Sequence, residues 1–379
     1  MSGLRTTRLR REEIVLRDGW TRTGVEIEHP WEPRQTLWYR ARLPAGWHLS
    51  ESSDALLLVP LYKAMRAGGR LEVEGEVSPA LLANLEEFQR FWCRSYPSRF
   101  RPVEIVPERE VEQPPGPPSA VAAFSGGVDS CFTVHRHLTG TSGRRTQRIL
   151  AGVMVHGFDI PIEEEEGFAA AAAGCEELLA SVDLPLIRMA TNVREVEHAW
   201  DDVVGAAVAS CLHLLQPNAA SGLVAASYPY DRRPLWGSNP ISDPLLSSSS
   251  LRTVHDGGGF TRDEKVAAIA GWPAALEHLR VCWRSPRRDR NCGRCLKCIR
   301  TILAFRTYGL GLPACFDRDV TDAQIRALGR LDRLGREDLR ILLDAVGREQ
   351  AAGSWVRAVR SVYYRNVARD RLETLVSRR

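Results

Sequence analysis

The run Val121-Ala-Ala-Phe-Ser-Gly-Gly-Val-Asp-Ser130 constrains this chain more than any other. Apolar residues that break at a glycine pair and resume beyond it predict a buried strand turning through a tight loop into a helix. In that setting the backbone N–H groups from Ser125 to Ser130 can wrap an anion at the helix N-terminus, and glycine admits a phosphate where a Cβ would block it. The loop lacks the Gly-Lys-Ser/Thr ending of a Walker A loop and the spacing of a dinucleotide G-x-G-x-x-G. Ser125, Gly126, Gly127, Val128, Asp129 and Ser130 are the candidate phosphate contacts.

Around this loop, apolar strands alternate with helical stretches, at residues 120–124, 130–138, 149–155, 168–182, 184–189, 203–215 and 223–227. Strands that are apolar throughout, separated by helices, predict an α/β fold with a Rossmann-like parallel sheet whose ligand lies at the strand carboxyl ends. At 379 residues the chain has room for two to three domains of ~150 residues. The proline-rich run Gln113-Pro-Pro-Gly-Pro-Pro-Ser119 is the expected linker. The expected organisation is a small α+β accessory domain at 1–112, the linker at 113–119, the main domain at 120–311 and a helical C-terminal region at 312–379. In the first domain, strands are expected at 23–28, 36–43, 70–75 and 103–106, with a helix capped by Ser78 and ending near Tyr96.

Four of the nine cysteines, Cys282, Cys292, Cys295 and Cys298, crowd into a C-x9-C-x2-C-x2-C pattern with Gly293 free to turn between ligands. Four thiolates at this spacing suit a tetrahedral Zn²⁺ of structural type, closed by its own ligands. An iron–sulfur cluster uses the same donors and remains the alternative. The odd cysteine count and the charged start of the chain suggest a reducing, cytoplasmic setting. The net charge, 51 − 47 = +4, implies neither a nucleic acid nor a membrane by itself, and no apolar run reaches a bilayer-spanning length. All basic residues but Lys63, Lys265 and Lys297 are arginines, which singles out those three lysines.

Ser125-Gly-Gly-Val-Asp-Ser130 resembles the signature of the PP-loop ATP pyrophosphatase superfamily, which cleaves ATP between the α and β phosphates and transfers AMP to a substrate oxygen. Together with Thr261-Arg-Asp-Glu-Lys-Val266 and the segment Cys282 to Cys298, it is similar to the 7-cyano-7-deazaguanine synthase family, over about half of the chain. That family carries a lysine where Arg262 stands here, with Lys265 one turn further along. The resemblance implies ATP and Mg²⁺ as cofactors besides Zn²⁺, with Ser125, Gly126, Gly127 and Ser130 on the pyrophosphate and Asp129 ordering the loop or its magnesium. It implies an ATP-dependent ligase that adenylates a small-molecule carboxylate, 7-carboxy-7-deazaguanine or a related acid. Ammonia or an amine then gives an amide or nitrile. Arg262 and Lys265 would face the phosphates.

Polar, proline-bracketed loops follow the strand ending near Ser227: Tyr228-Pro-Tyr-Asp-Arg-Arg233, Gly237 to Pro244 and His255-Asp-Gly-Gly-Gly259. Ser227, Ser238, Asn239, Asp243, His255 and Asp256 are candidate substrate or metal contacts, with turn formation as the plain alternative. His156 and Asp159 end another strand, at the edge where an adenine would lie. A homo-oligomer is expected, and a macromolecular amine acceptor is open. Nucleobase sulfur transfer and ATP sensing without turnover are the competing functions.

Overall fold

The computed structural model describes residues 5–231, 236–347 and 351–376, and among these ten strands form a single sheet. In chain order they are β1 (Thr6–Arg17), β2 (Trp20–His29), β3 (Glu32–Arg42), β4 (Gly69–Val77), β5 (Val103–Glu110), β6 (Ala120–Ala123), β7 (Ile149–His156), β8 (Leu186–Thr191), β9 (Ser221–Ala225) and β10 (Arg252–Asp256). Across the sheet the order is β10-β9-β6-β7-β8-β3-β2-β1-β4-β5.

From β10 to β8 every neighbour is parallel. These strands are apolar because helices cover both faces. Val128–Leu138 and Glu165–Ala180 pack on one side, with Val128, Phe132 and Phe168 in a core that also takes Ala120 and Ala122 of β6. Trp200–His213 packs on the other, with Ala206 and Leu212 in a second core that takes Val121. The chain runs outward from β6 through β7 to β8, then crosses back to lay β9 on the opposite flank of β6. Strand order therefore reverses beside β6, which opens a crevice at its carboxyl end. The architecture is α/β and Rossmann-like.

The expected N-terminal domain is not separate. β3 pairs antiparallel with β8, from Tyr39 opposite Thr191 to Arg42 opposite Arg188. The Asn192 carboxamide extends this joint, accepting from the Trp38 N–H at 2.9 Å and donating to the Thr36 carbonyl at 2.8 Å. β8 would otherwise offer an open edge of unpaired backbone groups, and β3 closes it. Leu37, Tyr39 and Ala41 share one core with Ile187 and Met189. The proline run lies against the sheet instead of bridging solvent, since Pro117 and Ser119 accept from the N–H groups of Ala220 and Ser221.

The C-terminal region is helical, as expected, in Asp322–Arg326, Arg333–Ala345 and Ser354–Val376. It is packed rather than appended: Ile325, Leu339, Leu342, Val359 and Val362 join the core around Ile299, Ile302 and Leu303 of the helix Leu296–Thr307. Among the described residues no helix is long and apolar enough to cross a membrane.

Candidate functional site

The loop Ser125 to Ser130 sits in the crevice beside β6. Gly126 has φ +71°, and a Cβ there would stand 2.8 Å from the Cys175 sulfur. Both the backbone turn and the space require glycine. Gly127 is the extended residue before the helix, and Val128 buries its side chain as the first helical residue. The two serine hydroxyls hold the loop in register. Ser130 Oγ accepts from the Ser125 N–H at 3.3 Å and donates to the Gly127 carbonyl at 3.1 Å, while Ser125 Oγ accepts from the Gly127 N–H at 3.4 Å. Bonds of 3.3–3.4 Å are long, so an anionic oxygen can replace a hydroxyl as partner of these N–H groups.

Asp129 points into a nest of cations. The helix Arg262–Ile269 opens with a capping box, Thr261 with Glu264, which sets Arg262 and Lys265 one turn apart on the face toward the loop. Arg262 Nη1 donates to one Asp129 oxygen at 2.9 Å and Lys265 Nζ to the other at 3.0 Å. Lys265 also donates to the Ala226 carbonyl at the end of β9. Burial would raise the Asp129 carboxyl, but Lys265 and Arg262 outweigh it and hold the group below its ordinary range. Lys265 is 1% exposed, and a buried charge of this kind is a poor stabilising device on its own. Arg300, from the helix bearing the cysteines, adds a further cation nearby and pairs with Asp338 of the C-terminal region. In the same nest, burial raises the Asp263 carboxyl to about 6.

The four cysteines converge. Their Sγ atoms all lie within 4.8 Å of one another, with Cys295 and Cys298 at 3.5 Å, Cys292 and Cys298 at 3.8 Å, and Cys282 and Cys295 at 3.9 Å. Four sulfurs about 2.3 Å from a shared Zn²⁺ stand about 3.8 Å apart in a tetrahedron. The set could hold one metal ion and is compatible with zinc. A polynuclear cluster places several metal and sulfide atoms between its thiolates and needs a wider cage. Cys295 caps the helix Leu296–Thr307, Cys298 lies in its first turn, and Gly293 takes φ +67° between Cys292 and Cys295. Asn291 ties the knuckle together: Oδ1 accepts from the N–H groups of Val281 and Cys282, and Nδ2 donates to the carbonyls of Leu279 and Cys315.

Knuckle and loop touch through Arg280. Its backbone N–H donates to the Gly126 carbonyl at 2.7 Å, and its guanidinium reaches the Ser125 carbonyl at 3.3 Å and Asp159 at 2.5 Å. Asp159 lines a cavity of about 360 Å³ at the carboxyl ends of β7 and β8, walled also by Phe158, Thr191, Arg194, Trp283 and Arg288. Arg288 is fixed by two 2.6 Å bonds to Glu164.

The other sequence candidates do not gather at the loop. His156 is buried, its Nε2 donating to the Pro161 carbonyl at 2.7 Å and its ring stacked on Phe168 at 4.5 Å; burial lowers its pKa. Ser238, Asn239, Asp243 and His255 bond to one another: Asp243 Oδ2 meets Ser238 Oγ and His255 Nδ1, each at 2.7 Å, and Oδ1 accepts the Asn239 N–H. Asp256 is taken by Thr133, His137 and Arg136 of the helix behind the loop. His255 and Asp256 are successive residues of β10 and so face opposite sides of the sheet. Ser227 is exposed just beyond β9. Of the loop 228–233, Arg232 and Arg233 lie outside the described residues. Arg280, Asn291 and Arg300 escaped the sequence reading, because 48 arginines hide any single one and an asparagine carries no spacing signal; only the position of Arg280, two before Cys282, pointed to it. No protein-family model, curated protein or solved structure matches the chain.

Proposed function

We propose that this chain is an ATP-dependent ligase with a PP-loop-type fold, which adenylates a carboxylate of the 7-carboxy-7-deazaguanine class and passes it to ammonia or an amine. The observation that carries the reading is the glycine loop at the sheet's reversal point with Lys265 and Arg262 gathered on Asp129 beside it. Free N–H groups at a helix start and fixed cations favour a polyphosphate. The carboxylate oxygen attacks the α phosphorus, the bond to the bridging oxygen breaks, and pyrophosphate leaves. Ammonia or the amine then adds to the acyl carbon, loses its proton to solvent, and expels AMP to give an amide. A second activation of the amide oxygen would remove it as AMP and leave the nitrile.

Within this reaction the loop N–H groups and the cations Arg262, Lys265 and Arg300 stabilise charge growing on the pyrophosphate. Asp129 keeps two of them in place before substrate arrives. Mg²⁺ bound with the nucleotide would neutralise further phosphate charge. Zinc at Cys282, Cys292, Cys295 and Cys298 would be structural, with no coordination position left open. The closeness of those sulfurs speaks against a cluster-dependent sulfur transferase. The test is mass spectrometry after incubation with ATP, Mg²⁺ and 7-carboxy-7-deazaguanine, with and without ammonium. AMP, pyrophosphate and the amide or nitrile are expected; ATP and acid returned unchanged overturn the assignment.

A further inference from the structure

We propose that the metal knuckle is also a substrate wall: Trp283 stacks on the flat ring of the acid, and Lys297 holds its carboxylate beside the phosphate loop. The inference rests on the ligase reading and names the side chains that receive its acid. Trp283 directly follows Cys282, which is 4% exposed, yet the indole itself is 54% exposed and lines the cavity at the ends of β7 and β8. Its carbonyl accepts from Arg288, which is anchored to Glu164, so the backbone under the ring is held. A half-exposed ring with its backbone held, bordered by the Arg284 guanidinium at 5.4 Å and by Lys297, is a stacking platform for a flat anion. The cavity, about 360 Å³, is of a size for a small bicyclic ligand.

Lys297 lies between Cys295 and Cys298, and its ammonium stands 5.7 Å from the centre of the Trp283 ring. Of the three lysines, Lys63 is bonded to Glu32 and Gln35, and Lys265 to Asp129. Among the described residues Lys297 has no carboxylate within ion-pair distance. Lys297 is exposed, and the cavity walled by Trp283 is joined to the loop through Asp159, which accepts from the Arg280 guanidinium that also reaches the Ser125 carbonyl. Asp159 in the cavity wall is already engaged by Arg280. An anion arriving there gains the unpaired ammonium as its partner. Arg262 and Lys265 already flank the phosphate loop, and the aromatic face beside Lys297 selects an acid borne on a ring.

The test is calorimetric titration of the full-length, zinc-loaded protein with 7-carboxy-7-deazaguanine in the presence of a non-hydrolysable ATP analogue. Trp283→Ala and Lys297→Met are each expected to weaken acid binding by about tenfold. They should leave analogue affinity within about twofold and zinc at one per chain, while Trp283→Phe and Lys297→Arg recover part of the loss. Unchanged acid affinity in both variants overturns the inference and leaves the ligase reading standing. So does a Lys297→Met variant that loses the analogue as much as the acid, because the phosphates are then its anion. Wild-type protein that binds neither acid nor analogue overturns both.

Discussion

Arg280 donates its backbone N–H to the carbonyl of Gly126 at 2.7 Å, which makes the entry to the cysteine knuckle part of the glycine loop's own hydrogen bonding. Cys282 lies two residues on, and its N–H and that of Val281 are held by Asn291, one residue before Cys292. The four-cysteine knuckle and the glycine loop are thus mechanically linked.

Removing the metal should therefore weaken nucleotide binding. Chelation, or Cys295→Ser, is expected to raise the Kd of an ATP analogue about tenfold, the scale of one or two lost hydrogen bonds. The melting temperature should fall with it. Calorimetry on metal-free protein that keeps its circular dichroism checks this, and an unchanged Kd would show that the knuckle does not brace the loop.

Gly126→Ala should be destabilising by about 1–3 kcal/mol, through the unfavourable φ and the contact with Cys175. Cys175→Ala in the same chain opens the space but leaves the backbone strain. The double variant is expected to recover part of the stability and little of the nucleotide affinity. Full recovery of both would mean that sulfur contact alone demands the glycine.

Asp129→Asn leaves Lys265 and Arg262 without their anion in a buried setting, at a cost of about 3–5 kcal/mol. The sign follows from the lowered carboxyl: its stabilisation is complete above the unfolded-state value and is lost as pH falls through the folded one. The variant should show a lower melting temperature at pH 7 and a smaller loss on acidification than the parent. Bound ATP analogue should restore part of the stability, since phosphate replaces the missing charge. A variant with the parent's stability and acid profile would remove Asp129 from the site's electrostatics.

Asp54 behaves in the opposite sense. It is fully buried, Oδ1 accepts the Ser78 N–H at 2.8 Å, Oδ2 has no partner, and burial raises its pKa to about 6. The folded state holds this proton more tightly than the unfolded state, so stability falls as pH rises from about 4 to about 6, by on the order of 2–3 kcal/mol. Asp54→Asn keeps the acceptor and should abolish that slope, gaining stability at pH 8 and little at pH 4. Denaturant titrations at the two values measure it, and parallel losses at both would refute the buried-carboxyl account.

The strand–glycine loop–helix unit, the alternating strands and the cysteine set were legible because each is local: a glycine pair, an apolar run and a fixed spacing carry their meaning within ten or twenty residues. What could not be read was which distant segments share an edge. The pairing of β3 with β8 joins residues some 150 apart, and neither strand signals its partner, so a proline run looked like a boundary. β10 was missed for the same reason, its five residues being polar enough to pass for loop. Among the candidate residues, Arg262 and Lys265 come together at Asp129 because a helical turn dictates a shared face, whereas Asp243, His255 and Asp256 were assigned by loop position alone.

Those last residues give the final prediction. Asp243 is completely buried and accepts from Ser238, His255 and the Asn239 backbone, so its carboxylate has no capacity to spare for a ligand. Asp243→Asn sets an amide N–H against one of these donors and should cost about 2–4 kcal/mol of stability. Because the network bonds inward, the folded fraction should bind ATP analogue and the acid with parental Kd and turn over at the parental rate. If Asp243→Asn instead keeps its melting temperature and loses acid affinity, this loop reaches the substrate and the turn role is wrong.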